Sequence, residues 1–240
     1  MRLAAHVLTA FVVAAACRAP GTPEQRRAAG AASDSANGPV SATAAGEVAG
    51  ASGAHPGPDS TALRAAADSG RILGAPGAKV WLIMVSDFQC PYCKQWHDQS
   101  FDALQKAYVD GGRVRTAFLN FPLDQHAQAM PAAEAAMCAS AQRRFWPYHT
   151  ALYATQQRWE AMSDPAPVFD SLATAAGADL ARFRACTASH VMRALVEADR
   201  DRMERAGVRS TPSFFVGNQQ IAGAQPTPVF RQALDAALVK

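Results

Sequence analysis

A chain of 240 residues, 49% of them hydrophobic and 18% charged, is long enough for one domain with appendages and apolar enough to build a core. Its formal net charge of +3 is small and its basic residues form no run, so no nucleic-acid surface is expected and nucleic acid is not an expected partner.

The first residues read as a targeting signal. Arg2 supplies a short basic stretch, and Leu8 to Ala16 form an apolar run too short to span a bilayer. Ala14, Ala15 and Ala16 then lead into Cys17, where two readings compete. Signal peptidase cuts after the alanines, or Cys17 is the lipid-carrying first residue of a bacterial lipoprotein, which residues 1–17 resemble. Ala14 stands where such a signal usually has leucine. A plain membrane tether is the third reading. All three place the bulk of the chain outside the cytoplasm, in the periplasm or cell envelope, and the lipid reading adds a membrane anchor.

Residues 18–66 are rich in Ala, Gly, Pro, Ser and Thr, and up to about residue 60 carry only Val40 and Val48 as large aliphatics. Such a stretch buries too little apolar surface to offset the entropy of ordering it, so a flexible linker is expected, with a helical segment around Thr61 to Asp68. The folded domain is then expected over residues 67–240. Besides Cys17 there are four cysteines, Cys90, Cys93, Cys138 and Cys186, in a compartment where disulfides persist. They allow three pairings, of which Cys90 with Cys93 and Cys138 with Cys186 is the most economical.

Order begins near Ile72. Lys79 to Val85 is a continuous apolar run of strand length, which suits a central strand buried on both faces. From Pro91 the pattern turns helical, with Trp96, Phe101, Leu104 and Tyr108 at mixed spacing, and Asp110-Gly111-Gly112 ends the helix. Arg113 to Leu119 alternates as a second strand. Residues of about 125–206 read as successive helices broken at Arg143-Arg144, Ser163-Asp164-Pro165 and Gly177, the part to about residue 187 forming an insertion. Strands return at Ser213–Val216 and Gln220–Ala222 around a Gly217-Asn218 turn. Pro226-Thr227-Pro228 opens a closing helix. This predicts an α/β fold: a central sheet with helices on its faces and a helical insertion.

The chemistry is carried by Cys90-Pro91-Tyr92-Cys93. A strand that delivers C-x-x-C to a helix start places the first sulfur among unpaired backbone N–H groups at the positive end of the helix dipole. The reactive form of cysteine is the thiolate, which that position favours. Cys93 lies one turn on and can close a disulfide with Cys90. The expectation is an exposed, attacking Cys90 and a shielded, resolving Cys93. A structural disulfide or half a zinc site is the plain alternative, but no second close cysteine pair exists to complete a metal site.

The segment Ser86-Asp87-Phe88-Gln89-Cys90-Pro91-Tyr92-Cys93 resembles the active-site segment of the DsbA family within the thioredoxin superfamily. Gly207 to Val216 resembles that family's cis-proline loop, which would make Pro212 the cis residue. Pro131 to Cys138 and Phe145 to His149 resemble its helical insertion, and Gly223 to Pro226 its end. The resemblance covers roughly residues 70–240. It implies a thioredoxin-like fold with a central mixed β-sheet, dithiol–disulfide exchange with reduced exported proteins, recycling by a membrane redox partner, and no cofactor or metal. It also assigns substrate contact to Pro91, Tyr92, Thr211 and Pro212, with the Thr211 backbone pairing with an extended client peptide as an added strand. Oxidation of clients is the leading direction and reduction or isomerisation the alternative. A lipid-tethered peptide-binding module with an inert disulfide is the reading of another class.

One position departs from the family. Six residues before the first cysteine, where a buried acid usually assists proton movement at the resolving thiol, this chain has Met84. Proton transfer is therefore expected to rely on water or another group. His97, four residues beyond Cys93, lies on the same helical face, though ordinary packing is its default role. Packing is also the default for His126, His149 and the four tryptophans, and Lys94 either adds positive potential near Cys90 or is simply solvated. For Cys138 and Cys186 a structural bridge is expected, with a second redox pair as the sharper alternative.

Overall fold

The computed structural model describes residues 59–239. The expected signal over residues 1–17, Cys17 and the linker up to residue 58 lie outside the described residues. Helix α1 (Ser60–Gly70) begins inside the stretch read as linker, because Asp59 caps it by accepting from Thr61 N at 2.9 Å and Ala67 packs fully buried against the helical block. Ser140 Oγ donates to Ala67 O at 2.5 Å and fixes that contact. The helix contains the helical segment expected around Thr61 to Asp68. Its cap and its tertiary partner supply the order.

A two-residue strand β1 (Ile72–Leu73) leads to β2 (Val80–Ser86), the central strand. Helix α2 (Pro91–Trp96) continues through a π-helical segment (His97–Phe101), α3 (Asp102–Leu104) and a second π-helical segment (Gln105–Val109) into β3 (Val114–Asn120). The π segments account for the mixed apolar spacing: widening the turn brings Trp96 and Phe101, five residues apart, onto one buried face. Six helices follow: α4 (Ala129–Ser140), α5 (Phe145–Ala154), α6 (Gln156–Trp159), α7 (Ala166–Ala175), α8 (Leu180–Ser189) and α9 (Arg193–Arg205). Strands β4 (Ser213–Val216) and β5 (Gln219–Ala222) form a hairpin, and α10 (Thr227–Leu238) closes the domain.

The sheet runs β1-β3-β2-β4-β5. Strands β2 and β3 are parallel and every other pairing is antiparallel, so the sheet is mixed. Register sets Met84 between Phe118 on β3 and Phe214 on β4. Leu82, Met84, Phe118 and Phe214 face a large aromatic core with Trp96, Phe145, Tyr153 and Phe230. Val85 and Leu119 face the other side, where Met203 of α9 and Val208 complete a smaller core. Apolar cover on both faces is why β2 reads as an unbroken hydrophobic run.

Two long-range links hold the helical block. Cys138 of α4 and Cys186 of α8 form a disulfide with Cα atoms 5.8 Å apart, closing a 48-residue separation. A loop of that length corresponds to about 4 kcal/mol in the chain-entropy account. The guanidinium of Arg71, just past α1, pairs with Asp68 and with the wholly buried Asp199 of α9, donating to Asp199 Oδ1 at 2.9 Å through Nη2. Asp199 also accepts from Asn120 N and Nδ2, both at 3.1 Å. One carboxylate thus ties α1, β3 and α9 together. Asp199→Ala is expected to lower unfolding stability by about 3 kcal/mol, since it strands the buried Arg71 cation and two Asn120 donors; denaturant unfolding followed by circular dichroism measures it, and a loss within error of zero would refute the clamp.

Candidate active site

Strand β2 ends at Ser86, and the next four residues make the turn that aims Cys90 at the start of α2. Asp87 organises that turn. Its buried carboxylate accepts from Gln89 N at 2.7 Å, from Leu123 N at 2.9 Å and from His126 Nδ1 at 2.7 Å. Burial pushes the Asp87 carboxyl up, while these three donors hold it down. His126 is therefore a hydrogen-bond partner and more than packing.

The helical block holds the turn from the other side. Gln156 Nε2 donates to Phe88 O at 2.7 Å and to Cys90 O at 3.1 Å. Gln89 reaches across to Glu160 O and Gln128 N, and the Ser86 hydroxyl lies 2.8 Å from that of Tyr153. Sequence reasoning missed Gln156, Gln128 and Tyr153 as supports of the motif, since nothing local marks a residue that acts more than thirty positions away.

Cys90 is the N-cap of α2, with φ −70° and ψ 123°, and Pro91 takes the first helical position, where its missing N–H costs nothing. Both cysteines are free thiols. The peptide bond between Thr211 and Pro212 is cis, and the loop that contains it lies against the motif. The Cys90 thiol donates to Thr211 O at 3.6 Å. That contact corrects the expectation of an exposed Cys90: its relative exposure is 3%, because the sulfur is turned beneath the loop. Cys93 is 1% exposed. Pro91 and Tyr92 form the accessible rim, Tyr92 at 63%, while Thr211 and Pro212 are buried.

The two thiols have opposite proton affinities. Cys90 is lowered to about 6, first by a hydrogen bond from the Cys93 thiol and further by the Thr211 side chain and the Cys93 and Tyr92 backbone N–H groups, against the cost of burial. The Thr211 hydroxyl is buried with no other partner, so it is available to the Cys90 thiolate. Cys93 is pushed well up by burial and by the neighbouring Cys90 charge. One proton is thus held on Cys93 and shared toward Cys90, which suits an attacking thiolate beside a protonated reserve.

The remaining candidates fall into place around the sulfurs. Lys94 pairs with Asp98 at 2.6 Å, which compensates its charge within its own helix. Trp81 lies under the Arg115 guanidinium at 4.4 Å, Trp96 packs on Phe214, Trp146 stacks on Phe101, and Trp159 is fully buried against Phe169. Cys138 and Cys186 are already paired in the helical block. Met84, Ser86, His97, His149 and Tyr153 gather around Cys93.

Known proteins are similar to this chain to differing extents. The family model described as thioredoxin matches residues 66–236. The Na(+)/H(+) antiporter NhaA 3 of Salinispora tropica is 33% identical over 173 residues, covering 72% of this chain and 24% of the antiporter, so the chain spans about a quarter of that relative's length. A protein of Bacillus anthracis named probable disulfide bond formation protein D is 26% identical over 174 residues, covering 70% of this chain and 78% of the relative. The crystal structure of oxidised BdbD from Bacillus subtilis matches with a TM-score of 0.65 and 22% identity, covering 72% of this chain and 95% of that one. A C-x-x-C helix start facing a cis-proline loop on this five-stranded sheet, together with the family match, means that the chain belongs to the thioredoxin family, with the fold of its DsbA-type members.

Proposed function

We propose that this protein is an extracytoplasmic dithiol–disulfide oxidoreductase that forms disulfides in exported proteins through Cys90 and Cys93. The observation that carries the reading is the placing of the two free thiols one turn apart at a helix start, with Cys90 3.6 Å from Thr211 O under the cis-proline loop. That setting lowers Cys90 to about 6 and raises Cys93 well above the ordinary thiol range, a split between the two sulfurs. An inert structural disulfide has no need of that split. The names of the Bacillus relatives support the same chemistry.

In the oxidising direction a client thiolate attacks Cys90 Sγ of the Cys90–Cys93 disulfide, the bond between them breaks, and Cys93 leaves and takes up a proton. A second client thiolate attacks the client sulfur of the mixed disulfide and expels Cys90 as a thiolate. The client loses two electrons and the enzyme gains them. A membrane partner would then reoxidise the dithiol, and Cys17, if lipidated, would hold the enzyme near that partner. The client is bound by its backbone: an extended peptide alongside Thr211 takes over the carbonyl that the resting Cys90 thiol contacts, with Pro91 and Tyr92 at the rim.

The thiolate also bears on direction. The reduced form gains wherever Cys90 is ionised, so above pH 6 the disulfide is more oxidising than one whose thiols ionise near 9. At pH 7 a thiol titrating near 6 instead of near 9 favours the reduced form about tenfold, or about 1.4 kcal/mol and 30 mV. That is a small part of the span from about −270 mV for reductants to about −120 mV for strong oxidants, so the remaining stabilisation of the dithiol decides the direction.

Two measurements test these points. Cys90→Ala is expected to abolish oxidation of a dithiol peptide, and activity equal to that of the unaltered protein would remove the assignment. The Cys90–Cys93 potential followed against pH should fall by about 60 mV per pH unit below pH 6 and by about 30 mV above it, as reduction changes from taking up two protons to one. An unbroken slope through that region would show that Cys90 titrates as an ordinary thiol, and a value near −270 mV at neutral pH would assign the reducing direction.

A further inference from the structure

Beside Cys93 lies a cavity of about 10 Å³, lined by Ser86, Cys93, Trp96, His97, His149 and Tyr153 together with apolar side chains. That is the space one buried water needs, and such a water needs two to four polar partners. The lining supplies them. Trp96 Nε1, His97 Nε2 and His149 Nδ1 are buried polar atoms with no hydrogen-bond partner, and the Ser86 and Tyr153 hydroxyls are linked at 2.8 Å. Unpaired buried nitrogens around a thiol that must lose and regain a proton call for an explanation.

His97 joins this cavity to solvent. The ring is buried, with Nδ1 3.1 Å from Asp98 Oδ1, and the Asp98 side chain is 45% exposed and paired with Lys94. A carboxylate only accepts, so Nδ1 carries the ring proton and Nε2 keeps its lone pair. The ring is held between Phe101 at 5.3 Å and Tyr153 at 4.9 Å between centroids.

We propose that His97 relays the proton of Cys93, taking it at Nε2 through one water in this cavity and passing it from Nδ1 by way of Asp98 to solvent. The relay rests on the exchange reading of Cys90 and Cys93. When Cys93 attacks a mixed disulfide on Cys90, its proton passes to the water, the water's proton to Nε2, and the Nδ1 proton outward; the S–S bond between Cys90 and the client breaks as that between Cys93 and Cys90 forms. The reverse transfer protonates Cys93 when it leaves. This fills the place that Met84, which lines the same cavity, leaves without an acid.

The groups that bear on the ring are Lys94, Asp98 and Asp102 on its own helical run, Cys93, and His149 and Tyr153 from α5. Burial lowers the His97 proton affinity even with Asp98 beside it, which keeps the ring neutral at neutral pH with Nε2 free to accept. His149, lowered far more by its burial, serves as a fixed neutral partner for the water.

The test is the reaction of the reduced protein with dithiobis-nitrobenzoate, an aromatic disulfide. Cys90 expels one nitrothiophenolate as it forms the mixed disulfide, and Cys93 expels the second as it closes the Cys90–Cys93 bond. In His97→Phe the ratio of second to first rate should fall about tenfold or more at neutral pH, and the second phase should rise with hydroxide. Adding Met84→Glu should restore the second phase with the titration of a carboxyl group, a rescue that repaired packing cannot give. Asp98→Asn, at a side chain 45% exposed, should slow the second phase several-fold. An unchanged second phase and pH profile in His97→Phe would overturn the relay, as would a slowed phase whose profile keeps its shape and resists the Met84→Glu rescue. If the unaltered protein shows no first phase, the exchange reading fails, and the relay with it.

Discussion

The start of α2 governs the rest of this structure. A helix leaves its first amide hydrogens without carbonyl partners, and here the residue at the N-cap position is a cysteine. Its sulfur gains most from that position as an anion, and the gain is kept because a second thiol one turn later holds the shared proton. Both sulfurs are out of bulk water, so the amide groups, the Cys93 thiol and the Thr211 side chain act on Cys90 with little screening. The arrangement tolerates burial of the attacking sulfur because the stabilising donors are built into the chain.

Keeping that start in place is work shared by distant elements. Asp87 gathers donors from its own turn and from the loop after β3, and Gln156 holds the carbonyls of Phe88 and Cys90. The helical block therefore acts on the chemistry as well as on stability. Its position depends in turn on the Cys138–Cys186 bridge and on the Asp199 carboxylate that joins it to α1 and β3. The Cys138–Cys186 bridge lies within the helical block, whereas Cys90 and Cys93 are free thiols at the start of α2.

The aromatic core has a second role beyond packing. Phe88, Phe118, Phe145 and Tyr153 surround His149, and Phe101 covers His97, so two imidazoles sit next to Cys93 out of reach of bulk solvent. Such surroundings keep both rings neutral. A carboxyl group at position 84 would carry proton movement on a buried charge, whereas the proposed relay carries it on the His97 imidazole, a group neutral at rest.

Patterns that act over a few residues were readable in the chain itself. The unbroken run to Val85, the proline after Cys90, the paired spacing of Cys90 and Cys93, and the breaks at Arg143, Pro165 and Gly177 depend on local backbone preference and burial period, and they located β2, α2 and most of the helical block. Tertiary packing decided what local preference cannot encode. It docked α1, whose helix was legible around Thr61 to Asp68, onto the helical block through Ala67 and Ser140, gave the two-residue β1 its partner, and turned Cys90 beneath Thr211 in place of the expected exposure. It also brought His149 and Tyr153 to the cavity at Cys93, and Gln156 to the carbonyls of Phe88 and Cys90, from far along the chain. The physical reason is the range of the forces. Helix starts and strand periods are settled among near neighbours, whereas burial, hydrogen-bond satisfaction and proton affinity depend on which distant groups the fold brings within a few ångströms.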